Sequence, residues 1–311
     1  MSIPLPLVQI TLRQAHADLG PSGSERKPAW LKVKAPGGAS FVDVRTLLRD
    51  LKLNTVCEEA HCPNIGECWD HRAATFMIMG DTCTRNCAYC AVAHGTPQQL
   101  DTDEPRRLAE AVATMAMRHI VVTSVDRDDL PDGGAEQFAS VVRETRRASP
   151  GTTIELLVPD FKGSETALRI VVDAKPDILN HNLETVSRLY RIARPGGRYE
   201  RALELIGRIK QLDPDMLSKS GIMVGLGEQW DELLTAIRDL RSVGCDILTL
   251  GQYLRPSATH LPVARFYTPE EFGSLKDFAE SLGFRHVLSG PLVRSSYHAW
   301  EAAERAGAAA S

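Results

Sequence analysis

The sequence predicts an α/β protein built on a partial barrel of six β/α units, with an extension at each end. Three observations carry this. Short apolar runs alternate with amphipathic helical stretches from residue 73 onward, no Asn-Gly hairpin signal joins successive runs, and six units fall short of the eight of a closed barrel. Alternation without hairpins implies parallel strands joined by right-handed crossovers. Ligand chemistry is then expected at the C-terminal ends of the strands.

Residues 1–40 lack sustained periodicity and are rich in Pro and Gly, which reads as an extended arm with a basic-aromatic stretch around Trp30. Helical spacing of Val42, Val44, Leu47, Leu48 and Leu51 predicts a helix over 42–51. Strands are expected at 75–79, 120–123, 153–158, 177–180, 221–225 and 246–250. The helices between and after them are expected at 104–117, 134–147, 164–173, 199–211, 229–242 and 269–282. The expected organisation is an arm and cysteine-bearing segment over 1–72, the barrel over 73–283, and a C-terminal segment over 284–311.

The 311 residues are 43% hydrophobic and 24% charged, enough to bury a sizeable core. With 36 Lys and Arg against 40 Asp and Glu, the net charge of -4 excludes a strongly basic nucleic-acid binder. No apolar run approaches the roughly 20 residues that span a bilayer. The start, Met1-Ser2-Ile3-Pro4, lacks the basic and apolar regions of a signal peptide, so a reducing cytoplasmic setting is expected.

Cysteine distribution is the informative feature. Six of seven lie between Cys57 and Cys90, and Cys245 stands alone, reading as a small core residue. A disulfide scaffold is not expected in a large reduced protein, so the clump reads as metal or cluster ligation. Cys83, Cys87 and Cys90 follow the first predicted strand with spacing C-x3-C-x2-C, and Gly80 with the polar Thr84-Arg85-Asn86 makes the segment a loop. Closed zinc sites take four ligands, so three imply an open coordination position where a substrate can bind. Cys57, Cys62 and Cys68 form C-x4-C-x5-C. These positions share no helix face, and Pro63 and Gly66 break helices, so this too is expected to be a loop gathered around a ligand. It also lacks a close fourth cysteine; His61 is a conceivable ligand, but a solvent-facing loop histidine is the more ordinary reading.

The first motif, with Tyr89 before its last cysteine, resembles the radical S-adenosylmethionine superfamily. Gly133-Gly134-Ala135 is similar to that superfamily's Gly-Gly-Glu segment, and residues 221–228 match its G-x-I-x-G-x-x-E pattern. The resemblance implies a [4Fe–4S] cluster on Cys83, Cys87 and Cys90 whose fourth iron takes S-adenosylmethionine. Gly133, Gly134, Asn182, Glu184 and Gly225 are then the candidate cofactor-binding residues. Read alone, each of these motifs is an ordinary turn or cap.

The two cysteine groups, with Asp128-Asp129-Leu130-Pro131, His181-Asn182-Leu183-Glu184, Gln252-Tyr253-Leu254-Arg255 and Arg294-Ser295-Ser296-Tyr297, resemble the lipoyl synthase family over roughly 40 to 300. That resemblance implies an auxiliary [4Fe–4S] cluster on Cys57, Cys62 and Cys68, with Ser296 as fourth ligand and Ser295 as runner-up. It implies radical insertion of two sulfur atoms, at C6 and C8 of a protein-bound octanoyl-lysine, with two S-adenosylmethionine consumed and the auxiliary cluster as sulfur source. Unactivated C–H bonds lie beyond ordinary acids and bases, so no acid–base catalytic residue is expected. Expected partners are octanoylated lipoyl carrier domains (2-oxoacid dehydrogenase E2 subunits and the glycine cleavage H protein) and a low-potential electron donor such as ferredoxin or flavodoxin. A monomer is expected, with no nucleic acid or membrane. Lys219 and Arg294 could face carrier or cofactor, but exposed basic residues are usually just solvated. The rival class, a zinc or electron-transfer metalloprotein, explains the cysteine clump but not the missing fourth ligands.

Overall fold

The computed structural model describes residues 27–33, 37–70, 73–297 and 299–307. Most of the expected arm, residues 1–26 and 34–36, lies outside them. The chain runs α1 (Ala39–Asp50), β1 (Asn54–Thr55), α2 (Val56–Glu59), α3 (Ile65–Asp70), β2 (Thr75–Ile78), β3 (Thr82–Cys83), β4 (Ala93–His94), α4 (Glu104–Thr114) and β5 (His119–Ser124). It continues through α5 (Ala135–Ala148), β6 (Thr153–Leu157), α6 (Glu165–Asp173), β7 (Ile178–Asn180), α7 (Tyr190–Ala193), α8 (Tyr199–Leu212) and β8 (Leu217–Val224). It closes with α9 (Trp230–Ser242), β9 (Ile247–Gln252), α10 (Pro269–Ser281), β10 (His286–Gly290) and α11 (Ala299–Ala306).

The main sheet has the order β1-β2-β5-β6-β7-β8-β9-β10. The six expected strands are β2 and β5 to β9, all parallel, as in a partial barrel. Each flanking segment adds one more strand. β1 pairs antiparallel on β2, and β10 pairs parallel on β9 with His286 opposite Ile247. β10 escaped sequence reading because His286-Val287-Leu288-Ser289-Gly290 has no sustained apolar run; its neighbour β9, not its own pattern, makes it a strand.

The helices bury the faces their periodicity foretold. Leu108 and Val112 of α4, Leu233, Ile237 and Leu240 of α9, and Phe272 and Leu275 of α10 are all buried. Ser164 caps α6 by accepting from the Ala167 amide, and Thr268 with Glu271 forms a capping box on α10. Cys245 is fully buried and its thiol donates to the Ile247 carbonyl at 3.3 Å, as a small core residue.

Inside the barrel the side chains stack in layers, because residues two apart on a strand share a face. Leu157, Gly221 and Thr249 line a cavity at the C-terminal end. Two residues earlier on their strands, Glu155 and Lys219 form an ion pair of 2.8 Å, with both side chains fully buried. Lys219 is therefore a lumen residue, a correction to its reading as a group facing carrier or cofactor. Asn180 donates to the other Glu155 oxygen at 2.9 Å, which satisfies the carboxylate in a place water cannot reach. Deeper still, Ile178, Leu217 and Ile247 pack on Ala303 and Ala306 of α11. The C-terminal helix thus stops the lower end and leaves the upper end for chemistry. Among the described residues no helix is long and apolar enough to cross a membrane.

Candidate active site

The first cysteine loop begins where Met79 and Gly80, at φ 68° and 91°, take two successive left-handed steps and turn the chain out of β2. The loop is then tied down at several points. Thr84 donates its amide and hydroxyl to the Asp126 carbonyl at 3.0 and 2.9 Å, and the Ala88 amide donates to the Ala193 carbonyl at 2.9 Å. The centre of the clamp is Arg85, buried between two of the cysteines. Its guanidinium spans Asp128 at 2.8 and 2.9 Å and Asp160 at 2.6 Å, with Asp126 at 3.4 Å. Burial alone would raise the Asp160 pKa, but hydrogen bonding to Arg85 holds it well below the usual carboxylate range. Cys83 Sγ accepts backbone N–H bonds from Arg85 and Asp126 at 3.4 and 3.3 Å.

The second cysteine group differs from the expected loop. Cys57 lies in the short helix α2 and Cys68 in α3, with a break between them. Thr55 caps α2 by accepting from the Glu58 amide at 3.3 Å, and His61 at φ 49° ends the turn. Gly66 does not break α3. The helix is held by Trp69, which is fully buried against Phe41 of α1 at a ring distance of 4.9 Å. Aromatic burial of that size outweighs the roughly 1 kcal/mol helix penalty of one glycine.

Residues 291–297, after β10, cross the mouth of the barrel and dock on the segment that carries the second cysteine group. Asn64 Nδ2 donates to the Leu292 carbonyl at 2.8 Å, and Tyr297 bonds the Glu67 carboxylate at 3.2 Å. Glycines make room for this crossing: a Cβ at Gly251 would overlap the Val293 carbonyl, and one at Gly221 would crowd Asn182 and Ser295. Ser295 Oγ lies 2.9 and 3.0 Å from the two amide atoms of Asn182. Ser296 lines the cavity, and among the described residues its hydroxyl has no hydrogen-bond partner.

These segments enclose one cavity of about 520 Å³. Cys57 and Cys62 stand in its wall together with Cys83, Cys87 and Cys90. Cys68 is not in the wall but is close enough to Cys57 and Cys62 for their charges to act on it. Asn182, Glu184, Arg294, Ser295, Ser296 and His61 also line it. Glu184 is held there by an unusual backbone: at φ 70° it rejoins β8 through a single bridge to Ile222. Its carboxylate accepts from Asn182 Nδ2 at 3.2 Å.

Gly133, Gly134 and Gly225 stand outside the wall of this cavity. The open side of Gly133 faces Phe161 and that of Gly134 faces Met79, while Gly225 gives way to the Gln252 amide. Glu228 closes the turn after β8 by accepting the Gly225 and Leu226 amides at 2.6 and 2.9 Å. Two groups in the wall escaped sequence reading: the Arg85 clamp and Asp126, which stands just past the end of β5. Their place in the loop between cysteines, and directly after a barrel strand, was the available signal.

Electrostatics sets what the thiols can hold. Burial, then Cys62, pushes the Cys57 thiol up to about 11; burial, then Cys57 and Cys62, pushes Cys68 up to about 12. Burial with Asp126 pushes Cys83 up to about 11, and burial pushes Cys87 up to about 12 against the pull of Arg194. Such thiols stay protonated until cationic iron replaces the proton. Positive charge is at hand in both groups. Arg194 acts on Cys87 and Arg294 on Cys62, and neither guanidinium pairs with a carboxylate among the described residues. Six soft sulfur donors, five of them in one cavity wall, Cys57 buried and the other five half-buried, with guanidinium groups beside them, suit the chemistry of anionic iron–sulfur clusters.

Comparison with known proteins gives this geometry its family. Residues 77–240 match the radical SAM superfamily, and residues 14–62 match the N-terminal domain of lipoyl synthase. The chain is 56% identical over 284 residues to a lipoyl synthase of Rubrobacter xylanophilus, covering 91% of this chain and 88% of that one. It is 56% identical over 286 residues to a lipoyl synthase of Koribacter versatilis, covering 92% and 94%. In fold alone it resembles the crystal structure of methylornithine synthase, with TM-score 0.52, 15% identity and coverage of 84% and 86%. It likewise resembles SuiB of Streptococcus suis, with TM-score 0.54, 9% identity and coverage of 73% and 52%. With both cysteine groups at one cavity and such relatives along most of its length, the chain belongs to the lipoyl synthase family: it is a radical S-adenosylmethionine sulfurtransferase that makes the lipoyl group on carrier domains, with S-adenosylmethionine and [4Fe–4S] clusters as cofactors.

Proposed function

We propose a division of labour for sulfur insertion at C6 and C8 of the octanoyl chain. Cys83, Cys87 and Cys90 hold the cluster that meets S-adenosylmethionine, and Cys57, Cys62, Cys68 and Ser296 hold the auxiliary cluster. The observation that carries this reading is that members of both triplets wall one cavity. Bound there, the clusters supply the electron for S-adenosylmethionine cleavage and the sulfur that enters the product. The chain's own residues bind, orient and exclude water. Asn182 and Glu184 offer an amide and a carboxylate to the polar end of S-adenosylmethionine. Met77, Leu157 and Ile222 give the wall the apolar surface an octanoyl chain needs. Gly133, Gly134 and Gly225 act behind the wall by letting neighbours pack close.

In this reading residues 1–72 carry the auxiliary site, 73–283 the barrel and 284–311 the serine and the helical stopper. The carriers are E2 subunits and the glycine cleavage H protein, and ferredoxin or flavodoxin is the electron donor. The enzyme works as a monomer in the cytoplasm, in keeping with seven unpaired cysteines. A direct test incubates anaerobically reconstituted protein with octanoylated H protein, S-adenosylmethionine and dithionite. Mass spectrometry should find lipoyl-lysine, and replacing either triplet with alanine should abolish it. Product from either triplet variant would overturn the assignment.

A further inference from the structure

The basic-aromatic stretch around Trp30 lies at the mouth of the cavity, and the reaction described above makes no use of it. Lys27 is exposed and also stands in the cavity wall, so it marks the opening. Pro28, at φ -57°, leads into a single 3-10 turn over Ala29–Leu31, in which the Leu31 amide donates to the Pro28 carbonyl at 3.1 Å. Leu31 is buried, while Trp30 and Val33 stay 42% and 46% exposed. The turn is thus anchored by one side chain and leaves its neighbours in water. Three residues of chain span at most about 11 Å, which keeps Trp30 beside the opening.

Tryptophan is among the residues that most often carry binding energy at an interface. Among the described residues the exposed large hydrophobic side chains are Trp30, Val33 and Val42, and two of them sit in this one segment. Its charge has a single sign. Lys27 and Lys32 are exposed, and neither pairs with a carboxylate among the described residues. With Arg26 and Lys34 the sequence carries four cations and no acid over residues 26–34, in a chain of net charge -4. Such a segment selects an acidic partner.

The reaction fixes who that partner is. The octanoyl group is borne on a lysine of a carrier domain, so the carrier body must rest against the opening through which that lysine enters. We propose that residues 27–33 are the docking surface for the octanoylated carrier domain, with Trp30 and Val33 as the apolar contact and Lys27 and Lys32 facing an acidic surface beside the acylated lysine; this rests on the carrier-dependent reaction assigned above. Acylation removes the ammonium charge of that lysine, so the cationic segment meets the substrate form without like-charge repulsion. Anchoring by Leu31 holds the segment in place beforehand and lowers the ordering cost of docking.

The test uses the reconstituted full chain, octanoylated H protein, an octanoylated E2 lipoyl domain and a short octanoyl-lysyl peptide. Carrier affinity is read by fluorescence anisotropy, and turnover is read with carriers and peptide, in wild type, Trp30→Ala and Lys32→Glu. Trp30→Ala should weaken carrier binding roughly tenfold or more. Lys32→Glu should weaken it and flatten its dependence on salt. Peptide turnover should stay at the wild-type level in both. If Trp30→Ala lowers the melting temperature, the exposed Lys32→Glu decides. Unchanged carrier affinity in both variants overturns this inference alone, and a wild-type dimer dissociated by Trp30→Ala would then give the patch to a second copy. Equal losses with carrier and peptide also overturn it, because the segment then serves the cavity and not docking. Wild-type protein that binds neither carrier overturns the carrier assignment and this inference with it.

Discussion

Ser295 and Asn182 hold each other: the serine hydroxyl both accepts from and donates to the Asn182 side-chain amide, at 2.9 and 3.0 Å, while the adjacent Ser296 hydroxyl lines the cavity with no hydrogen-bond partner among the described residues. Neighbouring serines of one motif thus have different freedom to bind iron. Ser296→Ala should make the auxiliary cluster easily lost and abolish lipoyl formation. Ser295→Ala should keep the iron and mainly loosen Asn182, at roughly 1 kcal/mol for one hydrogen bond. Ser296→Cys should retain a stable cluster, because thiolate suits soft iron better than alkoxide, but should slow sulfur transfer. Iron counts and product yield decide. Loss of auxiliary iron in Ser295→Ala with retention in Ser296→Ala would reverse the assignment.

Reconstituted protein should carry roughly eight irons, from two [4Fe–4S] clusters. Replacing Cys57, Cys62 and Cys68 with alanine should leave about half the iron, with S-adenosylmethionine cleavage intact and no lipoyl product. Replacing Cys83, Cys87 and Cys90 should eliminate 5′-deoxyadenosine. Deoxyadenosine from the latter variant would mean the two sites have been exchanged.

Arg85 should matter for stability before it matters for turnover. Its side chain is 4% exposed, and Asp160, at 3%, depends on it for charge balance. Arg85→Ala leaves buried carboxylates unmatched, a change that typically costs about 3–5 kcal/mol. Denaturant unfolding of the iron-free protein should show a loss of this order. A loss under 1 kcal/mol would mean that Arg201, 3.0 Å from Asp160, already suffices.

Acid should destabilise the fold through two buried histidines. Burial, then the charge of Lys219, drives the His119 pKa down to about 3, and burial, then Arg194, does the same to His181. His181 Nδ1 lies 2.8 Å from the Val158 carbonyl and must donate to it, so its Nε2 lone pair faces Arg194 and has no room for a proton. Between pH 6.5 and 3 the unfolded chain binds protons that the native one refuses. Stability therefore falls as pH drops through that window, by up to about 1.4 kcal/mol per unit for each histidine. Unfolding midpoints from pH 7.5 to 5 should decline, and His119→Leu should flatten the decline. An unchanged slope in that variant would remove His119 from the account.

Much of this protein was legible in its sequence because the signals are local. Period-3.6 faces such as Leu233, Ile237 and Leu240 and short apolar runs such as Thr153–Leu157 determine six parallel units, and three cysteines within eight residues determine a cluster loop. Tertiary structure decided what depends on distant partners. β10 is a strand because β9 offers an edge, and α3 tolerates Gly66 because Trp69 is buried on Phe41. Lys219 turns inward because Glu155, on another strand of the same lumen layer, neutralises it. Ser295 and Ser296 are indistinguishable as letters; they differ because Asn182, more than a hundred residues away in sequence, engages one hydroxyl and leaves the other free. The physical reason is common to all four. Hydrogen bonds, ion pairs and burial act through space, and no pattern along the chain records which remote group will be waiting there.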